Sequence, residues 1–182
     1  MEITWVKVVV FAGTSGVLSA VVGHALTLYN DWRNKSRSAA YLAIRIATSL
    51  EGFADECMTV IGDSETARQS NGAAGNQTTK LPELTAFPSD EVGWRVLPAR
   101  LTANLLAFPN HIKAGQDKIS FTASVAGELA AYEDCEEESA RLGLQSWSLA
   151  AELRKQFRFP PFEPRYDIEG ALRTQVAFWN EQ

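Results

Sequence analysis

The sequence predicts a mainly α-helical protein, with one N-terminal transmembrane helix followed by a small bundle of about four helices and a long loop. The first observation behind this prediction is an uncharged run of 21 residues, Val8–Leu28, which is long enough to cross a bilayer as a helix. The second is the spacing of apolar residues beyond that run. They recur in steps of three and four, which is typical of helices that bury one face.

The run Val8–Leu28 is interpreted as a membrane span after a short N-terminal segment. At about 1.5 Å of rise per residue it makes roughly 31 Å of helix, which matches a hydrocarbon core roughly 30 Å thick. Trp5 precedes the run, and Tyr29 and Trp32 follow it, where amphipathic rings settle at a lipid–water interface. Two alternatives stay open. One is a signal peptide cleaved after Ala25, and the other is a buried helix of a soluble protein.

Small side chains inside the span are regularly spaced. They form two adjoining stripes with a four-residue step: Ala12, Gly16 and Ala20, and Ser15, Ser19 and Gly23. Such stripes let a second helix backbone approach closely in lipid, so one interpretation is that the span pairs with itself. The other is that Gly and Ala are simply common in membrane helices. His24, the one ionisable residue of the run, is interpreted as a neutral imidazole near the interface, with a proton or ligand role as the alternative.

The distribution of basic residues predicts the orientation of the span. Arg33, Lys35, Arg37 and Arg45 follow it closely, whereas only Lys7 precedes it. This asymmetry predicts an N-terminus outside the membrane and a cytoplasmic C-terminal domain. The same basic cluster can contact anionic lipid headgroups.

Length and charge restrict the class of the remaining chain. The protein has 182 residues and a formal net charge of −5. The part beyond the span is long enough for one domain with its own core. Its negative charge disfavours a general nucleic-acid surface, and two cysteines are too few for a disulfide-stapled scaffold.

Residues 29–62 are predicted to form a juxtamembrane amphipathic helix that ends near Gly62. Its apolar stripe steps by three and four residues: Leu42, Ile46, Leu50, Phe53, Cys57 and Ile61. Whether this helix continues unbroken from the span stays open, since Asn30 and Asp31 could mark a joint. Residues 63–93, rich in Ser, Thr, Asn, Gly and Pro, are predicted to form a flexible loop.

Residues 94–158 are predicted to form the helical bundle. A helix over 94–108 carries a clear apolar stripe, and Pro109 is expected to break or kink it. A weaker pattern over 112–132 predicts a further helix. The acidic cluster Glu133–Glu138 then opens the last helix of the bundle, where the helix dipole favours acidic side chains. We interpret it as a solvated helix start, with a Ca²⁺ or Mg²⁺ site as the alternative.

Residues 159–182 are predicted to form a Pro-rich turn and a C-terminal amphipathic helix. The sequence Phe159-Pro160-Pro161-Phe162 cannot continue a helix. The helix beyond it has Ile168, Leu172, Val176 and Trp179 on one face. That face either folds back on the bundle or is offered to a partner.

The sequence carries no motif that names a chemistry. It has no Gly-rich phosphate loop, nucleophile elbow, HExxH or paired CxxC. Cys57 lies on an apolar stripe and is predicted to be a buried, inert thiol, whereas carboxylates flank Cys135 and oppose its thiolate. His111 is predicted to be a solvated loop residue. We therefore name no catalytic, cofactor-binding or metal-binding residue and expect no cofactor.

The leading hypothesis is a non-enzymatic interaction or scaffold module, anchored by one span. Its expected partners are the lipid bilayer, itself through the span and a protein of unknown identity, but no nucleic acid. The first alternative is a membrane-anchored enzyme or sensor that uses carboxylates of Glu133–Glu138 with Arg95 or Arg141. The second is an exported soluble helical domain released by signal cleavage, in which Cys57 and Cys135 could form a bridge.

Overall fold

The computed structural model describes the backbone of residues 5–181 and the side chains of residue 24 and of residues 26–181. Within that part, the chain is mainly helical, with five helices and no strand. The helices are α1 (Trp5–Gln69), α2 (Glu91–Val96), α3 (Ala99–Val125), α4 (Glu128–Gln156) and α5 (Ile168–Asn180). The prediction of a mainly helical bundle is confirmed.

Helix α1 is one continuous element of 65 residues. At about 1.5 Å of rise per residue it is roughly 98 Å long. It contains no joint at Asn30 or Asp31, so the segment predicted as a span and the amphipathic helix belong to the same helix. From Ala39 onward, one face of α1 is buried in the bundle.

The predicted membrane span falls largely on side chains that the structure does not describe. Among the residues it does describe, no helix is both long and apolar enough to cross a membrane. Of the predicted span 8–28, only residue 24 and residues 26–28 have described side chains. The rest of that prediction lies outside the described residues, and the span stays a prediction.

Helix α1 extends beyond the end predicted at Gly62. A glycine inside a helix costs about 1 kcal/mol relative to alanine, but Ser64 and Ala67 lie on the face that the bundle buries, and the helix continues past them. It ends before Asn71 and Gly72, whose φ angles are 52° and 81°. The Gly72 amide donates to the Ala67 carbonyl at 2.8 Å, which closes the last turn.

The segment predicted as a flexible loop is shorter than expected, because α1 takes its first residues and α2 takes its last. Its irregular part, 70–90, is held against α3. The Leu81 amide donates to the side-chain oxygen of Gln116 at 2.9 Å, and the Gln116 amide donates to the Thr79 carbonyl at 2.8 Å. Leu81 is buried in the core. The side chain of Gln116 therefore holds the backbone of this segment in place through two hydrogen bonds.

Helix α3 passes through Pro109, where we predicted a break. The two helices predicted over 94–108 and 112–132 are one helix from Ala99 to Val125, and the turn comes instead at Gly127, with a φ of 93°. Buried residues on both sides of Pro109 support the continuous helix: Leu101, Leu105, Phe108, Gly115 and Ile119. Packing of this face therefore outweighs the hydrogen bond that proline removes.

Helix α4 is the centre of the bundle and packs against α1, α3 and α5. It runs antiparallel to α1, because Ser146 donates to the Leu50 carbonyl at 2.7 Å near one end of the interface while Ser64 lies beside Glu136 near the other. It begins at Glu128, so the acidic cluster at 133–138 lies inside the helix and not at its start. This position brings carboxylates into the core.

The chain leaves α4 at Phe157 and enters a Pro-rich turn, as the sequence predicts. Helix α5 then folds back on the bundle. Its residues Ile168 and Leu172 are buried with Ala54, Ile61 and Ala140 of the two neighbouring helices. The apolar face predicted for this helix therefore packs against other parts of the same chain.

Candidate functional site

The first candidate surface is the segment of α1 that precedes the bundle. The side chains of residues 26–37 are all exposed, on every side of the helix. Trp32 is 68% exposed, and among the described side chains the first fully buried one is that of Ala39. A helix without packing partners gains little stability in water from propensity alone. This segment therefore offers a continuous surface for contacts outside the bundle.

The small-residue face predicted inside the span cannot be placed in this geometry. The side chains of Ala12, Ser15, Gly16, Ser19, Ala20 and Gly23 lie outside the described residues. His24 is described, and its side chain is exposed. The pairing face stays a prediction from the sequence.

The acidic cluster Glu133–Glu138 is not a solvated helix start. Glu136 is only 5% exposed, because it faces the C-terminal part of α1. There it accepts hydrogen bonds from the Ser64 hydroxyl and from the Arg68 guanidinium, the latter at 2.5 Å. The sequence prediction was wrong here, since α4 starts one and a half turns earlier and rotates this carboxylate into the interface.

Glu138 faces α3, on another side of α4. It pairs with Arg141 one turn along the helix and with Lys118 of α3 at 3.4 Å. The Lys118 ammonium also reaches Glu137 at 2.7 Å and Asp134 at 3.3 Å. Burial acts to lower the pKa of Lys118, but the hydrogen bond and charge of Glu137, together with Asp134, outweigh it and raise that pKa. Three carboxylates thus share one ammonium.

A second buried pair joins α1 to α4 at the other end of the bundle. The Arg154 guanidinium donates to Glu51 through Nε at 2.5 Å and through Nη2 at 2.8 Å. The two side chains are 13% and 5% exposed. The Glu51 hydrogen bond raises the pKa of Arg154, although burial opposes it. The third nitrogen of the guanidinium donates to the Pro160 carbonyl at 3.0 Å, which ties the Pro-rich turn to α4.

A cavity of about 320 Å³ lies beside this pair, between α4 and the Pro-rich turn. Its walls combine aromatic rings with charged groups: Trp147, Phe159, Phe162, Glu51, Arg154, Lys155 and Glu169. Trp147 donates its ring N–H to Glu169 at 3.1 Å, so that carboxylate is engaged. The cavity is in the size range of small-molecule pockets, but most of its polar groups already have partners within the chain.

Sequence reasoning missed the residues of both ion-pair clusters on α1. Glu51 follows Ala47 by one turn and precedes Ala54 and Met58, so it interrupts a second stripe of small and apolar side chains. A charged residue within such a stripe indicates burial with a partner. Its partner is 103 residues away, and no local pattern could have identified it.

Neither cysteine has the exposure or the lowered pKa of a reactive thiol. Cys57 and Cys135 are fully buried, free thiols. Burial raises the pKa of Cys57 far above its ordinary value, and burial raises the pKa of Cys135 to about 11. The predicted burial of Cys57 is confirmed. His111 is exposed on α3, where its ring lies 3.0 Å from the side-chain amide of Gln145, so it is a helix residue and not the predicted loop residue.

The groups named for an enzymatic alternative are only partly brought together. Glu138 and Arg141 are paired, whereas Arg95 lies on α2 and pairs with Glu91 at 3.3 Å. In the part of the chain that the structure describes, no group of three or more His, Cys, Asp or Glu side chains has the arrangement of a metal site.

Comparisons with known proteins add no function to this geometry. No protein-family model, curated protein or solved structure matches the chain.

Proposed function

We propose that this chain is a single-pass, membrane-tethered helical interaction module. In this proposal residues 8–28 of α1 cross the bilayer, the N-terminus lies outside, and the bundle lies in the cytoplasm. The uncharged run of 21 residues and the basic residues that follow it support this arrangement. The bundle acts by binding a protein partner and not by catalysis.

The observation that carries the proposal is the continuity of α1. The helix passes from the uncharged run through an exposed segment, 26–37, and into the core without a break. A buried helix of a soluble domain would have its apolar residues covered by the rest of the chain. Here Leu26, Leu28 and Trp32 are exposed. This is expected for a helical segment that contacts something other than its own bundle.

The buried ionisable groups support a structural role and not a catalytic one. Glu51 and Glu136 each accept hydrogen bonds from an arginine on the facing helix. A catalytic carboxylate needs an oxygen atom that is free to contact the substrate. The oxygen atoms of these two carboxylates instead accept hydrogen bonds within the interface between α1 and α4. Both pairs fix how α1 and α4 face each other.

Exposed apolar side chains on the bundle support an interaction role. Phe121, Val125 and Leu129 flank the turn between α3 and α4 and are about 70% exposed. Contiguous apolar patches on a protein surface are typical of sites that bind other proteins.

Fractionation of the tagged full-length protein tests this function. We expect the protein to stay in carbonate-washed membranes at full length, with a C-terminal tag that is protected from protease added on the outer face. A soluble product shortened by about 25 residues, as expected for signal-peptide cleavage, would overturn the tether and favour the exported domain. Crosslinking from the membrane-embedded form then identifies cytoplasmic partners.

A further inference from the structure

We propose that residues 29–37 of α1 form a collar that binds the headgroups of anionic phospholipids. This inference rests on the membrane tether proposed above and names the lipid class that the tether selects. The collar is the part of α1 between the end of the predicted span and the first residues of the bundle.

The collar has a positive charge that the rest of the chain lacks. Arg33, Lys35 and Arg37 exceed the single carboxylate, Asp31, by two charges, whereas the whole chain has a net charge of −5. All four side chains are exposed. Within the described part of the chain, none of the three basic side chains forms an ion pair, so their charges are available to a ligand outside the chain.

The basic residues surround the helix instead of lying on one side of it. At about 100° per residue, Arg33 and Arg37 lie within about 40° of each other, and Lys35 points to nearly the opposite side. A helix that lies flat on a membrane segregates its charges to one face. Charges on opposite sides fit a helix that stands upright and is surrounded by headgroups.

The height of the collar also matches the headgroup layer. Arg33 follows Leu28 by five residues, or about 7.5 Å, and the headgroup layer beyond the hydrocarbon is roughly 5–8 Å thick. Helical side chains tilt toward the N-terminus of their helix. The long side chains of Lys35 and Arg37 therefore reach back toward the bilayer.

Two aromatic side chains mark the inner edge of the collar. The rings of Tyr29 and Trp32 lie 6.4 Å apart and are tilted by 36°, and both are exposed. Aromatic rings followed by basic side chains are the order found where a helix leaves a bilayer.

A second copy of the chain is the other occupant that this surface could have. In a parallel pair of α1 helices that met on either of these two sides, the basic side chains on that side of one copy would face the same side chains of the other. Like charges at such short range oppose association. Phospholipids with a net negative headgroup supply the opposite charge, so the observations favour lipid.

The test measures lipid selectivity of the full-length protein reconstituted in vesicles of phosphatidylcholine. Trace spin-labelled phosphatidylserine or phosphatidylcholine reports the fraction of lipid held at the protein surface. One basic residue beside an anionic surface is worth about 1 kcal/mol, or about fivefold in association. We expect the association constant of phosphatidylserine with the protein to exceed that of phosphatidylcholine at least about fivefold. This preference should fall as the salt concentration is raised.

The variant Arg33→Gln/Lys35→Gln/Arg37→Gln is expected to lose that preference. The matched control, Arg100→Gln/Lys113→Gln/Lys155→Gln, removes the same charge from exposed positions on the bundle and should keep it. Equal association of both lipids with the wild type, or an equal loss in both variants, would overturn the collar.

Two further measurements keep this inference separate from the tether. A carbonate wash of the same vesicles reports insertion, so a protein that washes off refutes the tether itself. A protein that resists the wash but shows no lipid preference refutes only the collar. An Asn34→Cys variant that crosslinks completely to itself, whatever the lipid charge, would assign the surface to a second copy and also refute the collar.

Discussion

The carboxylate of Glu51 and the guanidinium of Arg154 form a two-point ion pair across the interface between α1 and α4. The side chain of Glu51 is 5% exposed and that of Arg154 is 13% exposed, and the third nitrogen of the arginine binds the Pro-rich turn. The pair therefore joins three parts of the chain that are distant in sequence. Because burying a charged pair costs desolvation free energy, we expect this pair to act mainly by fixing one arrangement of the helices.

Removal of one partner of this pair should destabilise the bundle strongly. Glu51→Gln leaves the buried guanidinium without its counter-charge, and we expect the free energy of unfolding to fall by about 3–5 kcal/mol. The double variant Glu51→Met/Arg154→Met should lose much less, since no charge stays buried. Urea unfolding followed by circular dichroism measures both. Equal losses for single and double variants would show that the charges are not what holds this interface.

Glu136 and Glu137 are adjacent in sequence but should differ in their effect on stability. Glu136 is buried between Ser64 and Arg68, so we expect Glu136→Gln to cost about 1–3 kcal/mol. The Glu137 side chain is 39% exposed and shares Lys118 with two other carboxylates, so Glu137→Gln should change stability by less than about 1 kcal/mol. Thermal melting of the two variants decides the matter, because a solvated helix start would give two equally small effects.

Two glycines in helices should respond in opposite directions to alanine. A Cβ at Gly52 would meet no atom within 4 Å, so Gly52→Ala should stabilise α1 by about 0.5–1 kcal/mol. A Cβ at Gly143 would lie 3.0 Å from Cys57 Cβ and 3.0 Å from Leu172, so Gly143→Ala should destabilise by about 1–3 kcal/mol. Denaturant midpoints measure both changes. Stabilisation by both variants would contradict the close contact of α4 with α1 and α5.

Tyr166 should ionise at a higher pH than an ordinary tyrosine. Its hydroxyl donates to Asp55, and this hydrogen bond, with burial and the charge of Asp55, raises the pKa of Tyr166 to about 12. The folded state therefore favours the neutral phenol. Its contribution to stability is complete below the ordinary pKa near 10 and is lost as pH rises through 12. The contribution should be small, because Tyr166 is half exposed.

Absorbance of tyrosinate during an alkaline titration measures this pKa. We expect one tyrosine to ionise near pH 12, and Asp55→Asn to move that step toward the ordinary value. A wild-type titration with a single step near pH 10 would show that the hydrogen bond is absent in solution.

The helical stripes could be predicted from the sequence because they depend on neighbours within one helix. Leu42, Ile46 and Leu50 are buried where a period of 3.6 residues puts them, and Ile168 and Leu172 are buried on α5. The fold class and the course of the amphipathic segments therefore followed from local spacing.

The helix boundaries and the buried charges could not be predicted in this way. Pro109 disfavours a helix locally, yet the packing of Phe108 and Ile119 on either side keeps α3 continuous. The sequence of the acidic cluster predicts solvated side chains, because it does not show that Arg68 and Lys118 face the cluster. Both of these residues lie outside the cluster, on other helices. These outcomes depend on contacts between helices that a single segment does not encode.

Because α1 is unbroken, the number of residues in its exposed segment sets the direction in which the bundle faces around the helix axis. Each residue added within 29–37 would turn everything after it by about 100° and move it by about 1.5 Å along the axis, relative to the first part of the helix. One inserted residue would thus rotate the face formed by α4 and α5 away from its original direction. Seven inserted residues, close to two full turns, would restore the direction and raise the bundle by about 10 Å. The length of this one helical segment therefore sets both the rotation of the bundle about the axis of α1 and its distance along that axis.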